Sequence, residues 1–521
     1  MKVEGASAVA EAPESPTPSI KPRPMTKDEK DEAFLASIGK KQELNRTFGL
    51  WSMISLVVTL QASWEALCVV FQVALIEGGP VSLVYGYIVA SLGTLATACS
   101  LGEIASMWPT SGGQYHWVAE LSPKRYRAFL SCISGWISVS GWQALSASTA
   151  FAVSTQIQTL VFAGNNNYTS PRWQGTLIYW AVLWVAATVN VFLIKFLPLL
   201  ESGVAVAHMS LFIAFIAVLC AMGERNSSTF VWTEFVNNSG WNNDGVSWCI
   251  GLLSSAFIFI GYDGAAHMAE ELHDAARAVP RAMVASIVIN GVMGFVWLLI
   301  LLYFMGPFES IVGSAYALPY VQVFVNATGT TGGGIAMASL VTSISALATV
   351  PMLASASRTT WAFARDGGLP RSQFFAHVNS SFQLPIRAIF LSVGLQMLLG
   401  LINLGSTTAF NAFLSLATVA LYVSYLLPII LIVRLRFIGK DGMKLAYGPF
   451  RLGRYGLPLN LISIGYTIWT AVFMLFPDFQ PVTAENMNYA CVILGGIIVL
   501  FLAWWMVRGK KTFTGPLTAI E

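Results

Sequence analysis

Runs of about 20 apolar residues, the length at which a helix crosses the hydrocarbon core of a bilayer, recur along this chain between residues 48 and 507. No other feature restricts the fold as severely. In lipid, backbone N–H and C=O groups must be paired within the spanning segment, so each run is expected to be helical. Twelve runs can be counted, at 48–73, 80–101, 126–160, 175–194, 198–222, 246–268, 282–306, 333–356, 386–404, 409–433, 456–476 and 487–507. Only 11% of the 521 residues are Asp, Glu, Lys or Arg, far below the roughly 25% of soluble domains. The chain is therefore expected to be an all-α polytopic membrane protein with twelve transmembrane helices. A net charge of +3 without a basic stripe excludes nucleic-acid binding, which needs many phosphates neutralised. The six cysteines lie in or at the mouth of apolar runs with no CxxC pair, which points to packing and leaves no metal or cofactor site.

Residues 1–47 are rich in Pro, Glu, Lys and Ser and lack periodicity. They read as a disordered tail without the apolar core of a cleaved signal peptide. Residues 508–521 form a second short tail. With both termini in the cytosol, only Arg172 and Arg225 of the 29 Lys and Arg fall on the far side, as the positive-inside rule requires. The N-x-S/T triplets at Asn167, Asn226, Asn237 and Asn326 then face the secretory lumen and are candidate glycosylation sites. The plasma membrane is the expected location, with the vacuolar membrane as the alternative.

Two runs carry groups that a lipid-facing helix does not tolerate. The first contains Gln61, Ser63, Trp64 and Glu65 near its middle. The sixth contains Gly261, Tyr262, Asp263, Gly264 and His267, followed by Glu270 and Glu271. Intramembrane carboxylates are expensive unless partnered or hydrated and mark pathways or sites, and a glycine pair inside a span signals a break. Because the runs are five apart, a 5+5 inverted repeat would bring both breaks together at the midplane, where such transporters bind substrate. Ser63, Trp64, Glu65, Gly261, Tyr262 and Asp263 are therefore the expected substrate-binding residues, with the aromatic faces suited to an ammonium group and a carboxylate as counter-charge. Ser339, Thr342, Ser345 and Thr349 share one face of the eighth run, and Ser345 joins the candidate set. Ordinary helix packing explains that face equally well.

Further residues carry a resemblance. Glu103 followed by Pro109-Thr110-Ser111-Gly112-Gly113-Gln114-Tyr115 resembles the signature of the amino acid/polyamine/organocation superfamily. The stretch Gly261 to Glu271 with Val279-Pro280-Arg281-Ala282 resembles the sixth-span signature of its fungal branch for amino acids, GABA and choline. Ala364-Arg365-Asp366-Gly367 through Pro370 resembles a third landmark. The resemblance implies a leucine-transporter-like 5+5 core (48–222 and 246–433) with discontinuous helices 1 and 6 and two peripheral helices over 456–507. It also implies alternating access around a site between spans one, three, six and eight. One departure is that Ser63-Trp64-Glu65 stands where many relatives have a glycine-rich break, similar to the Ser-Trp element of choline-type members.

The chain is accordingly expected to be a secondary transporter, not an enzyme, importing a small amine such as choline, GABA or an amino acid, with protons and the lipid bilayer as its other partners. No GxxxxGK[ST] loop is present to bind ATP. His208 lies deep in the fifth run, seven residues after Glu201, and with Glu65 is a candidate for proton coupling. Glu270 and Glu271 are expected to gate the cytosolic end against a basic residue such as Arg46 or Arg358. A facilitative channel and a nutrient sensor of the same architecture are the rival readings.

Overall fold

A computed structural model describes residues 25–165, 167–406, 409–438, 445–484 and 486–516. Among the described residues the chain is helical, with only two isolated β-bridges, Phe48 to Leu272 and Asn379 to Leu384. Among the described residues ten helices are long and apolar enough to cross a membrane. Two of the twelve expected spans fall outside that criterion, for different reasons. The Arg127–Gly164 helix has 38 residues, about 57 Å at 1.5 Å per residue, but Ser138, Gln143, Ser146, Ser154 and Gln156 are buried along it. Protein rather than lipid surrounds that polar face: the helix packs between Thr331–Arg365 and Ala409–Ile438. The sixth segment is helical over Asp244–Phe257, leaves the helix, and regains a single turn over Gly264–His267.

The first span also breaks. Leu50–Gln61 and Ser63–Glu77 are separate helices joined at Ala62, whose φ of 40° and ψ of 54° place a non-glycine residue in the left-handed region. Such a residue costs on the order of 1–3 kcal/mol and persists only when its surroundings over-determine it. Here the side chains on either side are tied down. Asn290, in the helix Ala275–Phe304, donates from Nδ2 to Gln61 Oε1 at 2.9 Å and accepts at Oδ1 from the Ser63 hydroxyl at 2.9 Å. Gln61 Nε2 in turn donates to the Phe259 carbonyl at 3.0 Å, so each break satisfies a polar group of the other. The second break turns on Gly261, at φ +89°, where a Cβ would meet Leu60 Cδ2 at 2.8 Å.

The expectation of a disordered segment over 1–47 is corrected for its second half. Residues 1–24 lie outside the described residues. Lys27–Ser37 is a helix opened by a Thr26 and Glu29 capping box, and Leu35, Ile38 and Leu44 are buried. Lys40 Nζ to Asp366 Oδ2 at 2.9 Å ties the segment to the bundle, and Arg46 Nη1 to Asp31 Oδ2 at 2.9 Å joins its two ends to each other. A short polar helix shows no apolar periodicity in sequence, and only the surface beneath it supplies the burial that orders it.

Candidate functional site

The two breaks and the two long helices beside them enclose a small cavity of about 50 Å³. Gln61, Ala62 and Ala66 line it from the first span, and Phe257, Ile258 and Ile260 from the sixth. Leu145, Thr149, Ala152 and Gln156 come from Arg127–Gly164, and Ser345, Ala348 and Met352 from Thr331–Arg365. The spacings 145, 149, 152, 156 and 345, 348, 352 are single helical faces, so each long helix turns one stripe to the cavity. Among the described residues, no ionisable side chain lines it. What the cavity offers is the N-terminus of the Ser63–Glu77 helix on one side and the C-terminal end of Asp244–Phe257 on the other. The first presents the N–H groups of a helix start; at the second, the Ala256 and Phe257 carbonyls accept from the Phe259 and Ile260 N–H groups. Gln156 Nε2 donates to the Ser345 hydroxyl at 3.3 Å across it.

Of the expected substrate residues, Ser345 lines this space and Gly261 makes the bend beside it. Trp64, Glu65, Tyr262 and Asp263 are not brought together. Trp64 turns to Phe215, Trp297 and His208, with ring centroids 5.4, 5.1 and 5.9 Å away. Glu65 Oε1 lies 2.7 Å from His208 Nδ1, both fully buried. Tyr262 packs on Tyr425 at 5.3 Å. Asp263 is surrounded by donors: Tyr425 at 2.6 Å, Gln114 at 2.7 Å, Trp142 at 3.0 Å and His267 at 3.2 Å. The expected quartet is thus two clusters, Trp64 and Glu65 around His208 and Tyr262 and Asp263 around Tyr425, because each break turns its side chains toward the helix packed beside it. Ser63 serves the Asn290 network. Thr149, Gln156 and Phe257 carried no reading in sequence. The stripe of 145, 149, 152 and 156 was a usable signal, masked by the many other small polar residues of that helix. Gln143 belongs to a separate network with Thr360, Ser392 and Gln396.

His208 was read beside Glu201, but Glu201 Oε2 accepts instead from the Thr59 hydroxyl at 2.6 Å. The helix Leu197–Met222 therefore meets the first span twice, once on either side of its break.

The end of the bundle that carries the N-terminal segment is closed by ion pairs. Arg365 grips Glu270 with two parallel contacts of 2.7 Å, and Arg358 Nε meets Glu271 Oε1 at 2.8 Å. Arg358 was one of the two partners expected; the other, Arg46, goes to Asp31. Tyr115 and Lys40 both reach Asp366 Oδ2, at 2.8 and 2.9 Å. The Ser111-Gly112-Gly113 turn supports this closure. The Ser111 N–H donates to Glu270, and a Cβ on Gly113, at φ +55°, would lie 2.8 Å from the His267 ring. Glycine is required there because the turn passes against the sixth segment. At the opposite end, the side chain of Asn167 is exposed. The Nδ2 atoms of Asn226, Asn237 and Asn326 are engaged by the carbonyls of Leu302, Trp241 and Met305.

The comparisons with known proteins agree with this architecture. A family model described as amino acid permease matches residues 48–498. The choline transporter of Saccharomyces cerevisiae is 30% identical over 93% of this chain and 85% of its own length. An amino-acid permease BAT1 homolog of Oryza sativa is 32% identical over 94% of this chain and 96% of its own. Amino-acid permease BAT1 of Arabidopsis thaliana is 30% identical over 93% and 96%. These relatives are transport proteins rather than enzymes, and the chain belongs with them to the amino acid permease family of the amino acid/polyamine/organocation superfamily.

Proposed function

We propose that this permease is a proton-coupled secondary transporter that imports a small zwitterionic amine, a neutral amino acid or GABA, by alternating access. The observation that carries the reading is the cavity between two broken helices, lined by helix ends and neutral side chains. A zwitterion matches it group for group. Its carboxylate suits the N–H groups at the start of Ser63–Glu77, and its ammonium suits the negative end of the Asp244–Phe257 helix dipole. The Arg127–Gly164 helix and the interrupted 244–267 segment complete twelve spans in two inverted halves, 48–222 and 246–433, with helices 456–507 outside. The basic end is cytosolic, and the Glu270–Arg365 and Glu271–Arg358 pairs form its gate. Glu65 and His208 exchange the coupled proton, since a carboxylate and an imidazole in contact at membrane depth form a site that can hold or release one. The plasma membrane is its location.

Choline is the competing substrate, favoured by the Saccharomyces relative. Among the cavity residues only Phe257 presents an aromatic face and none a carboxylate, whereas quaternary ammonium sites surround the cation with several aromatic faces. Uptake of radiolabelled neutral amino acids, GABA and choline into proteoliposomes, with and without an inward proton gradient, tests the reading. Saturable, gradient-driven uptake of a zwitterion with counterflow supports it. Preferential choline transport overturns the substrate, and conductance without counterflow overturns the carrier.

A further inference from the structure

Outside the transport pathway, the turn after the Thr331–Arg365 helix and the end of the last helix enclose a groove of about 710 Å³. Trp504, Arg508 and Thr512 line one wall, recurring every four residues as the helix Ala490–Trp504 runs into a π turn over Trp505–Gly509. Arg371 and Phe374 line the other wall. The Arg387 guanidinium lies 4.3 Å over the Phe374 ring and adds a further positive charge at the rim. Among the described residues, neither Arg371 nor Arg508 forms an ion pair with a carboxylate. Asp366 is held by Lys40 and Tyr115, and Glu43 lies in an adjoining depression.

The surroundings of the groove indicate what fills it. The last helix is the least protein-covered of the ten candidate spans, with 11% of its apolar window buried. Beside the groove, its Val499, Leu500, Met506 and Val507 side chains are 65 to 79% exposed, so acyl chains must run along this helix to the level of Arg508. A groove at that level with two unpaired guanidiniums and an indole meets the phosphate and glycerol region of those lipids. Arginine matches a phosphate bidentately, and tryptophan prefers the headgroup boundary.

We propose that this groove is a binding site for the headgroup of an anionic phospholipid, with the phosphate held between Arg371 and Arg508 and the glycerol region against Trp504. The turn it would hold begins one residue after Asp366, the partner of Lys40.

The test uses the full chain in nanodiscs of phosphatidylcholine with increasing phosphatidylserine. Binding is followed by quenching of tryptophan fluorescence with brominated phosphatidylserine, and retained lipid by native mass spectrometry. Each arginine near an anionic surface contributes about a 5-fold effect on affinity. Arg371→Gln and Arg508→Gln should each weaken phosphatidylserine binding by that factor, and together by about 30-fold. Phosphatidylcholine retention and the melting temperature in pure phosphatidylcholine should be unchanged. Arg508→Lys, which keeps a point charge but not the fork, should fall between wild type and Arg508→Gln. Three results overturn the proposal: a wild type that binds both lipids equally, a double variant that binds phosphatidylserine like wild type, or lipid selectivity that arises only when the chain is truncated after residue 516. The last would mean that the C-terminal tail fills the groove.

Discussion

Removing one partner of the Glu65–His208 contact should cost more than removing both. The two atoms are 2.7 Å apart and both side chains are fully buried. The remaining acceptor Glu65 Oε2 and the remaining ring nitrogen His208 Nε2 have no hydrogen-bond partner, so neither group has an alternative contact when the other is lost. An orphaned buried charge costs about 3–5 kcal/mol, whereas a neutral amide left without its bond costs about 1–3 kcal/mol. His208→Leu should therefore destabilise by the larger amount, and adding Glu65→Gln should recover about 2 kcal/mol of it. Melting of the purified variants in detergent gives the cycle, and uptake into proteoliposomes gives its functional counterpart. The double variant should still exchange substrate in counterflow but should no longer accumulate it with an inward proton gradient. Additive single effects would refute the energetic argument. Unchanged gradient-driven accumulation in the double variant would remove the pair from coupling.

Other expectations follow from separate parts of the molecule. Glu270→Gln removes the charge from the two 2.7 Å contacts with Arg365, a loss of about 1.5–3 kcal/mol that shifts the closed-to-open ratio about 10- to 150-fold; Ser355 is buried in Thr331–Arg365, so labelling of a Ser355→Cys reporter by a thiol reagent added from the basic end should accelerate accordingly, and an unchanged rate would separate the pair from gating. Gly261→Ala should abolish transport at normal surface levels, because φ +89° and the Leu60 contact at 2.8 Å add about 1–3 kcal/mol of strain at the bend; wild-type kinetics would show that the bend tolerates a side chain. His116 lies in the connecting helix Gln114–Leu121 with no hydrogen-bond partner on either ring nitrogen, and burial, with Lys40 nearby, holds its pKa down to about 3. Its unfolded form binds a proton from about pH 6.5 downward while the folded form does not, so its contribution is complete above about pH 6.5 and falls by about 2 kcal/mol on going to pH 5. His116→Gln should flatten that part of the stability profile measured by melting, and an unchanged acid slope would exclude this histidine as its source.

Much of the architecture was legible before any coordinates, because lipid leaves so few choices. Apolar run length determined that the chain crosses a membrane as helices, since unpaired backbone is too costly there for any other form. Gly261 and the Gln61 to Glu65 cluster marked where two of those helices stop, since neither a glycine pair nor a carboxylate belongs in a plain span. The gate was expected as Glu270 and Glu271 against a basic residue such as Arg46 or Arg358; Arg358 does meet Glu271, but Glu270 takes Arg365, which the sequence did not single out as a partner, and Arg46 takes Asp31. The run at 126–160 counts as a span from its length alone; where its serines and glutamines go was decided by Thr331–Arg365 and Ala409–Ile438, which pack on either side of it.

Side-chain direction at the breaks was decided only in three dimensions. Sequence placed Trp64, Glu65, Tyr262 and Asp263 at one depth, but a helical residue faces whichever neighbour packs at its own angle. In the folded chain Glu65 meets His208, Asp263 meets Tyr425, Gln114, Trp142 and His267, and the cavity is left to neutral groups such as Gln156 and Ser345. Order in residues 25–47 was decided the same way. The Thr26 and Glu29 capping box marks a helix start in the sequence, but a short polar helix has little stability of its own, and it is Asp366 and the buried floor beneath Leu35, Ile38 and Leu44 that hold it.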